Sequence, residues 1–130
     1  MANVNPYQQY RQNFIKSAGR GELTLILYDG AVRFIKQGIK SIEENKIQSA
    51  HDSIIRAQEI ISHLNETLNT DYELSGSLTL LYDYINRRLI EANIKKDGDI
   101  LGEALDFISQ LRDTWKEALK LSKAPMASGQ

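Results

Sequence analysis

Apolar residues recur along this chain at steps of three and four. Between 46 and 69 they fall at Ile47, Ala50, Ile54, Ala57, Ile61, Leu64 and Leu68. That spacing puts them on one stripe of a helix. Residues 99–122 repeat it with Leu101, Ala104, Ile108, Leu111, Trp115 and Ala118. Residues 73–96 give Leu74, Leu78, Leu81, Ile85, Leu89 and Ala92, and residues 21–44 give Leu23, Leu27, Ala31, Phe34, Ile35, Ile39 and Ile42. No stretch alternates strictly between apolar and polar, and Val is scarce, so strands are not expected. The only prolines, Pro6 and Pro125, sit near the ends, which leaves the interior free of the strongest helix breaker.

The breaks between these segments are short. Asn45 can end the first helix, and Asn69-Thr70-Asp71 offers a stop followed by N-cap residues. Lys95-Lys96 suit a helix C-terminus, and Asp97-Gly98-Asp99 supply a turn and a new N-cap. Long helices joined by short turns fold back on one another, so the expected fold is all-α: an antiparallel up-down four-helix bundle. One domain is expected over 1–130. Residues 1–20 form an N-terminal flap, 21–122 the four-helix core and 123–130 a frayed tail, Ser122 to Gln130 being small and polar.

Two helices carry more apolar surface than one core needs. Taking Leu23 as origin and about 100° per residue, apolar side chains of the first helix fill an arc of about 200°. The arc includes Leu27, Tyr28 and Ile35, with Ile26 standing apart from it. A core-facing stripe is closer to ~100° wide. In the third helix Leu80 and Tyr84, with Arg87 and Glu91, form a second stripe that points away from the core. Such faces suit a partner helix, the alternative being that neighbouring helices or the N-terminal segment cover them. Gly30 and Gly38 interrupt the first helix, where close packing within the bundle is the plainer explanation. Tyr7, Tyr10 and Phe14 make a short amphipathic element followed by Ser17-Ala18-Gly19-Arg20-Gly21, which reads as a loop-like hinge. A helix that short must dock on something, which makes the element a displaceable flap.

Composition removes most other functions. There are 130 residues, no Cys, and 16 basic against 17 acidic groups, a net charge of −1. Disulfides, thiolate metal sites and Cys nucleophiles are excluded. A balanced charge leaves no footprint for nucleic acid. No apolar run approaches the ~18 residues of a membrane span, and the first residues lack the features of a signal peptide. A soluble cytoplasmic protein without membrane insertion is expected. The two histidines, His51 and His63, fall off the core stripe and do not form the paired Glu-x-x-His of a di-metal bundle. No nucleotide-binding or nucleophile motif occurs. The chain therefore reads as no enzyme, with no catalytic residue, no metal and no cofactor.

Asn5-Pro6-Tyr7 with Tyr10, then Gly21-Glu22-Leu23 running into Leu27-Tyr28-Asp29-Gly30, resemble the start of the flagellin-specific export chaperones, the FliS family. Tyr82-Asp83-Tyr84-Ile85-Asn86-Arg87-Arg88-Leu89-Ile90-Glu91-Ala92-Asn93 is similar to that family's third-helix signature. Leu111-Arg112-Asp113-Thr114-Trp115 is similar to its last-helix motif. The likeness covers about residues 5–120. The family commonly carries a Ser/Thr-Pro pair where this chain has Gly19-Arg20, a difference that bears on the stiffness of the first helix's start. The resemblance implies a cytoplasmic chaperone that holds the disordered C-terminal segment of flagellin, prevents premature polymerisation and assists delivery to the export gate components of the flagellar type III apparatus. The residues expected at the partner are Tyr7, Tyr10, Ile26, Leu27, Tyr28, Leu80, Tyr84 and Arg87. The rival readings are a self-assembling bundle, in which the spare stripe pairs two copies in a homodimer, and a metal-dependent bundle enzyme.

Overall fold

The chain reverses direction at two residues held in the left-handed conformation, Asn45 (φ 59°) and Lys96 (φ 52°). In the computed structural model these ends separate α1 (Pro6–Glu43) from α2 (Ile47–Glu66), and α3 (Leu74–Lys95) from α4 (Gly98–Lys123). The structure describes the backbone of residues 6–68 and 74–123 and the side chains of 21–68 and 76–121.

Both reversals share one hydrogen bond, from an N–H to the carbonyl five residues back. Lys46 N–H donates to the Ser41 carbonyl at 2.8 Å and Asn45 N–H to Ile42 at 3.0 Å; Asp97 N–H donates to Ala92 at 3.0 Å. This satisfies carbonyls that a helix end would otherwise leave bare. Asn tolerates the left-handed region well. Lys96 is less suited to it, and its ammonium is anchored on the Asn93 carbonyl at 2.7 Å. Asp97 then caps α4 as the sequence suggests, its Oδ1 accepting from Asp99 N–H at 2.8 Å and from Ile100 N–H at 3.3 Å.

Contacts run α1 with α2, α2 with α3, α3 with α4, and α4 back to α1. The helices therefore stand in a square, with α1 and α3 on one diagonal. Pairs such as Gly38 with Leu101 and Gly21 with Leu119 run in opposite order along α1 and α4, so neighbours are antiparallel. The four-helix bundle is confirmed. Its core holds Ala50, Ile54, Ala57, Ile61 and Leu64 from α2, Ile85, Leu89 and Ala92 from α3, and Leu101, Ala104 and Ile108 from α4. From α1 it takes Tyr28, Ala31, Val32 and Ile35.

Four expectations need correction. Ile47 heads the α2 stripe in sequence, yet it is 51 % exposed, because it opens the helix at the bundle's edge. Ala118 is likewise exposed on α4. The hinge expected over Ser17–Gly21 is helix, and α1 runs without interruption from Pro6. Gly21 is small because α4 crosses it. A Cβ there would lie 2.6 Å from Leu119 Cδ2, and Trp115 Nε1–H donates to the Gly21 carbonyl at 2.8 Å. Gly30 and Gly38 do admit close packing: a Cβ on Gly30 would meet Ile60 Cδ1 at 3.1 Å, and one on Gly38 would meet Ile54 Cγ1 and Leu101 Cδ1, each at 3.3 Å. At 1.5 Å per residue, α1 with its 38 residues is about 57 Å long. With Gly21 opposite Leu119, near the end of α4, the excess length lies at the N-terminal end of α1. Ser122 and Lys123, expected in a frayed tail, still belong to α4; the turn Asn69-Thr70-Asp71, the Leu74 side chain and residues 124–130 lie outside the described residues.

Tyr82 is missing from the sequence-derived stripe and sits in the core with Tyr28, each 2 % exposed. Their hydroxyls meet at 2.6 Å. The bond joins α1 to α3 across the diagonal. Burial raises the pKa of both phenols above the ordinary tyrosine value; the shared hydrogen bond opposes that rise at Tyr28 and adds to it at Tyr82.

Leu64→Ala truncates a fully buried side chain, so it should cost about 2–5 kcal/mol in urea unfolding; a loss below ~0.5 kcal/mol would place Leu64 outside the core. Tyr28→Phe or Tyr82→Phe leaves the other hydroxyl buried and unpaired, and each should cost about 1–3 kcal/mol. The double variant should lose less than the two losses combined. A raised phenol pKa gives stability that is complete below about pH 10, the unfolded value, and is lost as pH rises above it. The double Phe variant should therefore lose less stability on alkaline titration than the parent, measured by urea midpoint.

Candidate partner-binding surface

The outer face of α3 repeats at seven residues. Leu80 is 71 % and Ile94 78 % exposed, and Ile90 is 45 % exposed beside them. Arg87 lies between Leu80 and Ile94 and is also exposed. At ~100° per residue these positions share one side of the helix. That side points away from the core residues Ile85, Leu89 and Ala92.

Tyr84, expected on this outer face, leans instead towards α4 and is half-buried. Its ring meets Phe107 edge-on, with centroids 5.8 Å apart, and its hydroxyl donates to Glu103 Oε2 at 2.7 Å. Glu103 Oε1 accepts from Arg88 Nε at 2.7 Å. Arg88 also pairs with Glu91 at 2.7 Å, and Glu91 with Lys95 at 2.9 Å. Arg87 lies over the Tyr84 ring, its Cζ 5.9 Å from the centroid. The α3–α4 edge is thus bound by a chain of charge-assisted hydrogen bonds. The Tyr84 hydroxyl and then the Arg88 guanidinium hold the Glu103 carboxyl below its usual range. Lys95 does the same for Glu91, helped by Arg88. The bond to Glu103 raises the Tyr84 phenol.

The other edge of α3 is polar. Asn93 faces His51 at 3.0 Å, Asn86 Nδ2–H donates to Ser62 at 3.2 Å, and Asn65 Nδ2–H donates to Asp83 at 3.4 Å. Asn86 Oδ1 is buried without a partner. Among the described residues no group of three His, Cys, Asp or Glu is placed to hold a metal ion. None of the described helices is long and apolar enough to cross a membrane.

The residues expected at the partner therefore divide. Leu80 and Arg87 are on the surface, and Ile26 is half-buried. Leu27 is half-buried and packs against the core. Tyr28 is a core residue, corrected from the expected partner surface: its ring fills the bundle's diagonal and its hydroxyl is engaged by Tyr82. The side chains of Tyr7, Tyr10 and Phe14 lie outside the described residues. Ile90 and Ile94 went unread in the sequence, although the step of seven from Leu80 through Arg87 already leads to Ile94.

A helical bundle with an exposed apolar face on α3 presents the kind of surface that marks interaction sites. The family profile described as flagellar protein FliS matches residues 2–122, and the chain belongs to that family. It is 44 % identical over 120 residues to the flagellar secretion chaperone FliS of Bacillus subtilis, covering 92 % of this chain and 90 % of the relative. It is 30 % identical over 121 residues to flagellar secretion chaperone FliSB of Pseudomonas aeruginosa, covering 88 % and 96 %. The corresponding protein of Escherichia coli is 29 % identical over 111 residues, covering 83 % and 82 %. These relatives are named as chaperones of flagellar secretion, which are not enzymes.

The carboxyls of Glu103 and Glu91 sit below their unfolded values. They contribute stability at neutral pH that is lost as pH falls through their depressed pKa values. The urea midpoint should therefore fall on acidification below the ordinary carboxylate range, and Glu103→Gln should flatten that fall. An unchanged acid profile in this variant would show that the α3–α4 network does not govern it.

Proposed function

We propose that this chain is a cytoplasmic chaperone that binds the disordered C-terminal segment of flagellin, keeps it from polymerising early and presents it to the flagellar export gate. The observation that carries the reading is the exposed apolar face of α3 in a member of the flagellar secretion chaperone family. An unstructured guest gives up conformational entropy when it is ordered, so binding needs a wide apolar footprint. Leu80, Ile90 and Ile94 supply one, and it extends round the helix to the half-buried Tyr84. Arg87, exposed beside them, adds a polar contact that fixes register. A guest helix laid along this face would follow the helix-in-groove mode.

Ile26 and Leu27 are assigned to the margin of the footprint, where a guest that wraps the bundle would leave α3. Tyr7 and Tyr10 lie on the part of α1 that outruns its neighbours. They are assigned to contact with the guest, since a continuous α1 gives no hinge on which to fold back. The rival occupant of the α3 face is a second copy of this chain. Sedimentation over a range of concentrations separates the two, because a tight dimer that flagellin does not disrupt would favour self-assembly.

Leu80→Asp with Ile94→Asp should weaken binding of a flagellin C-terminal peptide at least tenfold, about 1.4 kcal/mol. The melting temperature should stay nearly unchanged, because both side chains are on the surface. Calorimetry with the full-length chain measures the first and circular dichroism the second. Undiminished affinity would move the guest off α3.

A further inference from the structure

The side of the bundle formed by α1 and α2 carries a different chemistry from the α3 face. Phe34 is half-buried and packs against the core. Two guanidiniums share its ring: Arg33 Cζ lies 5.5 Å from the centroid and Arg56 Cζ, from α2, lies 5.8 Å from it. Both arginines are exposed. The ion pairs among the described residues engage Lys46, Arg88, Lys95 and Arg112, and neither Arg33 nor Arg56 has a carboxylate within pairing distance. Lys40 follows Arg33 two turns along α1 and is exposed too. Beside the ring is a shallow depression of about 400 Å³, lined by Phe34, Gln37, Ser49, Asp52, Ser53 and Arg56.

The acidic groups nearby do not neutralise this cluster. Asp29 turns to the other side of α1, where its Oδ1 is 3.9 Å from Arg112. Asp52 precedes Arg56 by one turn and lines the same depression, yet it forms no ion pair with either arginine and its Oδ1 accepts from Gln48 Nε2–H at 3.0 Å. Glu59 lies one turn beyond Arg56 on the exposed face. Arg33, Arg56 and Lys40 outnumber Asp52 and Glu59 here, which leaves the seam locally basic. The cation–π contacts hold both guanidiniums near the ring, where an incoming carboxylate could accept from them.

We infer that the α1–α2 seam at Phe34 is a second docking surface, and that its occupant is an acidic peptide segment of a protein partner, with its carboxylates on the guanidiniums of Arg33 and Arg56 and a neighbouring apolar side chain on Phe34. Charge complementarity identifies the occupant. The apolar Phe34 ring beside the guanidiniums suits a peptide that carries an apolar side chain next to its carboxylate. The seam is formed by α1 and α2 and takes no residue from the outer face of α3, so both surfaces can be filled together. A chaperone could then hold its guest on α3 while a second protein engages α1 and α2.

The test uses the full-length chain and a fluorescein-labelled peptide of Glu and Leu in helical spacing, followed by anisotropy. The same peptide with Lys for Glu, and a DNA duplex, are the comparisons. The Glu peptide should bind, should weaken as salt is raised, and should lose at least tenfold in affinity in the Arg33→Glu, Arg56→Glu variant. The charge-neutral Arg33→Gln, Arg56→Gln variant should lose less, and amide shifts should cluster at 33–40 and 49–56. The flagellin C-terminal peptide should bind that variant as it binds the parent, which also shows that the variant is folded. Three results would overturn the inference: no binding of the Glu peptide at millimolar concentration, equal binding of the Lys peptide, or equal binding by the charge-reversed variant. Binding of the duplex at these residues in place of the Glu peptide would also overturn it, by assigning the seam to nucleic acid.

Discussion

The hydroxyl-to-hydroxyl bond between Tyr28 and Tyr82, at 2.6 Å, joins α1 to α3 across a diagonal of the bundle. In a square of four helices the neighbours are held by ordinary side-chain packing, whereas the diagonal needs a longer reach. Two phenols spanning it fix the height of α1 against α3, because each hydroxyl has its partner only in one register. Sliding either helix by one turn would bury two bare hydroxyls, at a cost of about 1–3 kcal/mol each. The apolar layers around them, Ile35, Ile54, Ile61, Leu89 and Leu101 among others, tolerate small shifts far better than this pair does.

The four seams of the bundle are closed by different means, and the differences decide where a partner can act. Glycines draw α1 close to α2 and α4: Gly30 admits Ile60, Gly38 admits Ile54 and Leu101, and Gly21 admits Leu119. Charged groups bind α3 to α4 through Glu103, Arg88 and Glu91. Polar side chains link α2 to α3, and one acceptor, Asn86 Oδ1, remains buried without a partner. No seam draws on the outer face of α3. Leu80 and Ile94 therefore stay in water, which is costly for large aliphatic groups and favourable when a guest covers them.

The helices and three of their four core stripes were legible in the sequence, since the step of three and four on α2, α3 and α4 reflects burial on one side. α1 was harder. Its apolar arc is wide because it packs against two neighbours and reaches the diagonal, so a count of apolar positions could not divide core from surface. Tyr28 illustrates the difficulty. It lies in the same arc as Leu27, and only the position of Tyr82 shows that it points inward. The Ser17–Gly21 stretch misled in the opposite sense. Small residues read as a hinge when they are in fact the space into which Trp115 and Leu119 of α4 fit.

The sequence by itself determined the class of fold, the places where the chain turns at Asn45 and near Asp97, the absence of thiol chemistry, and the likeness to a chaperone family. Each of these follows from residue type and short-range spacing, which are local properties. Tertiary structure alone decided which apolar residues stay exposed, that Tyr84 bonds to Glu103 rather than facing outward, and that Arg33 and Arg56 meet over Phe34. Those outcomes depend on side chains brought together from different helices, by a register that no single helix carries.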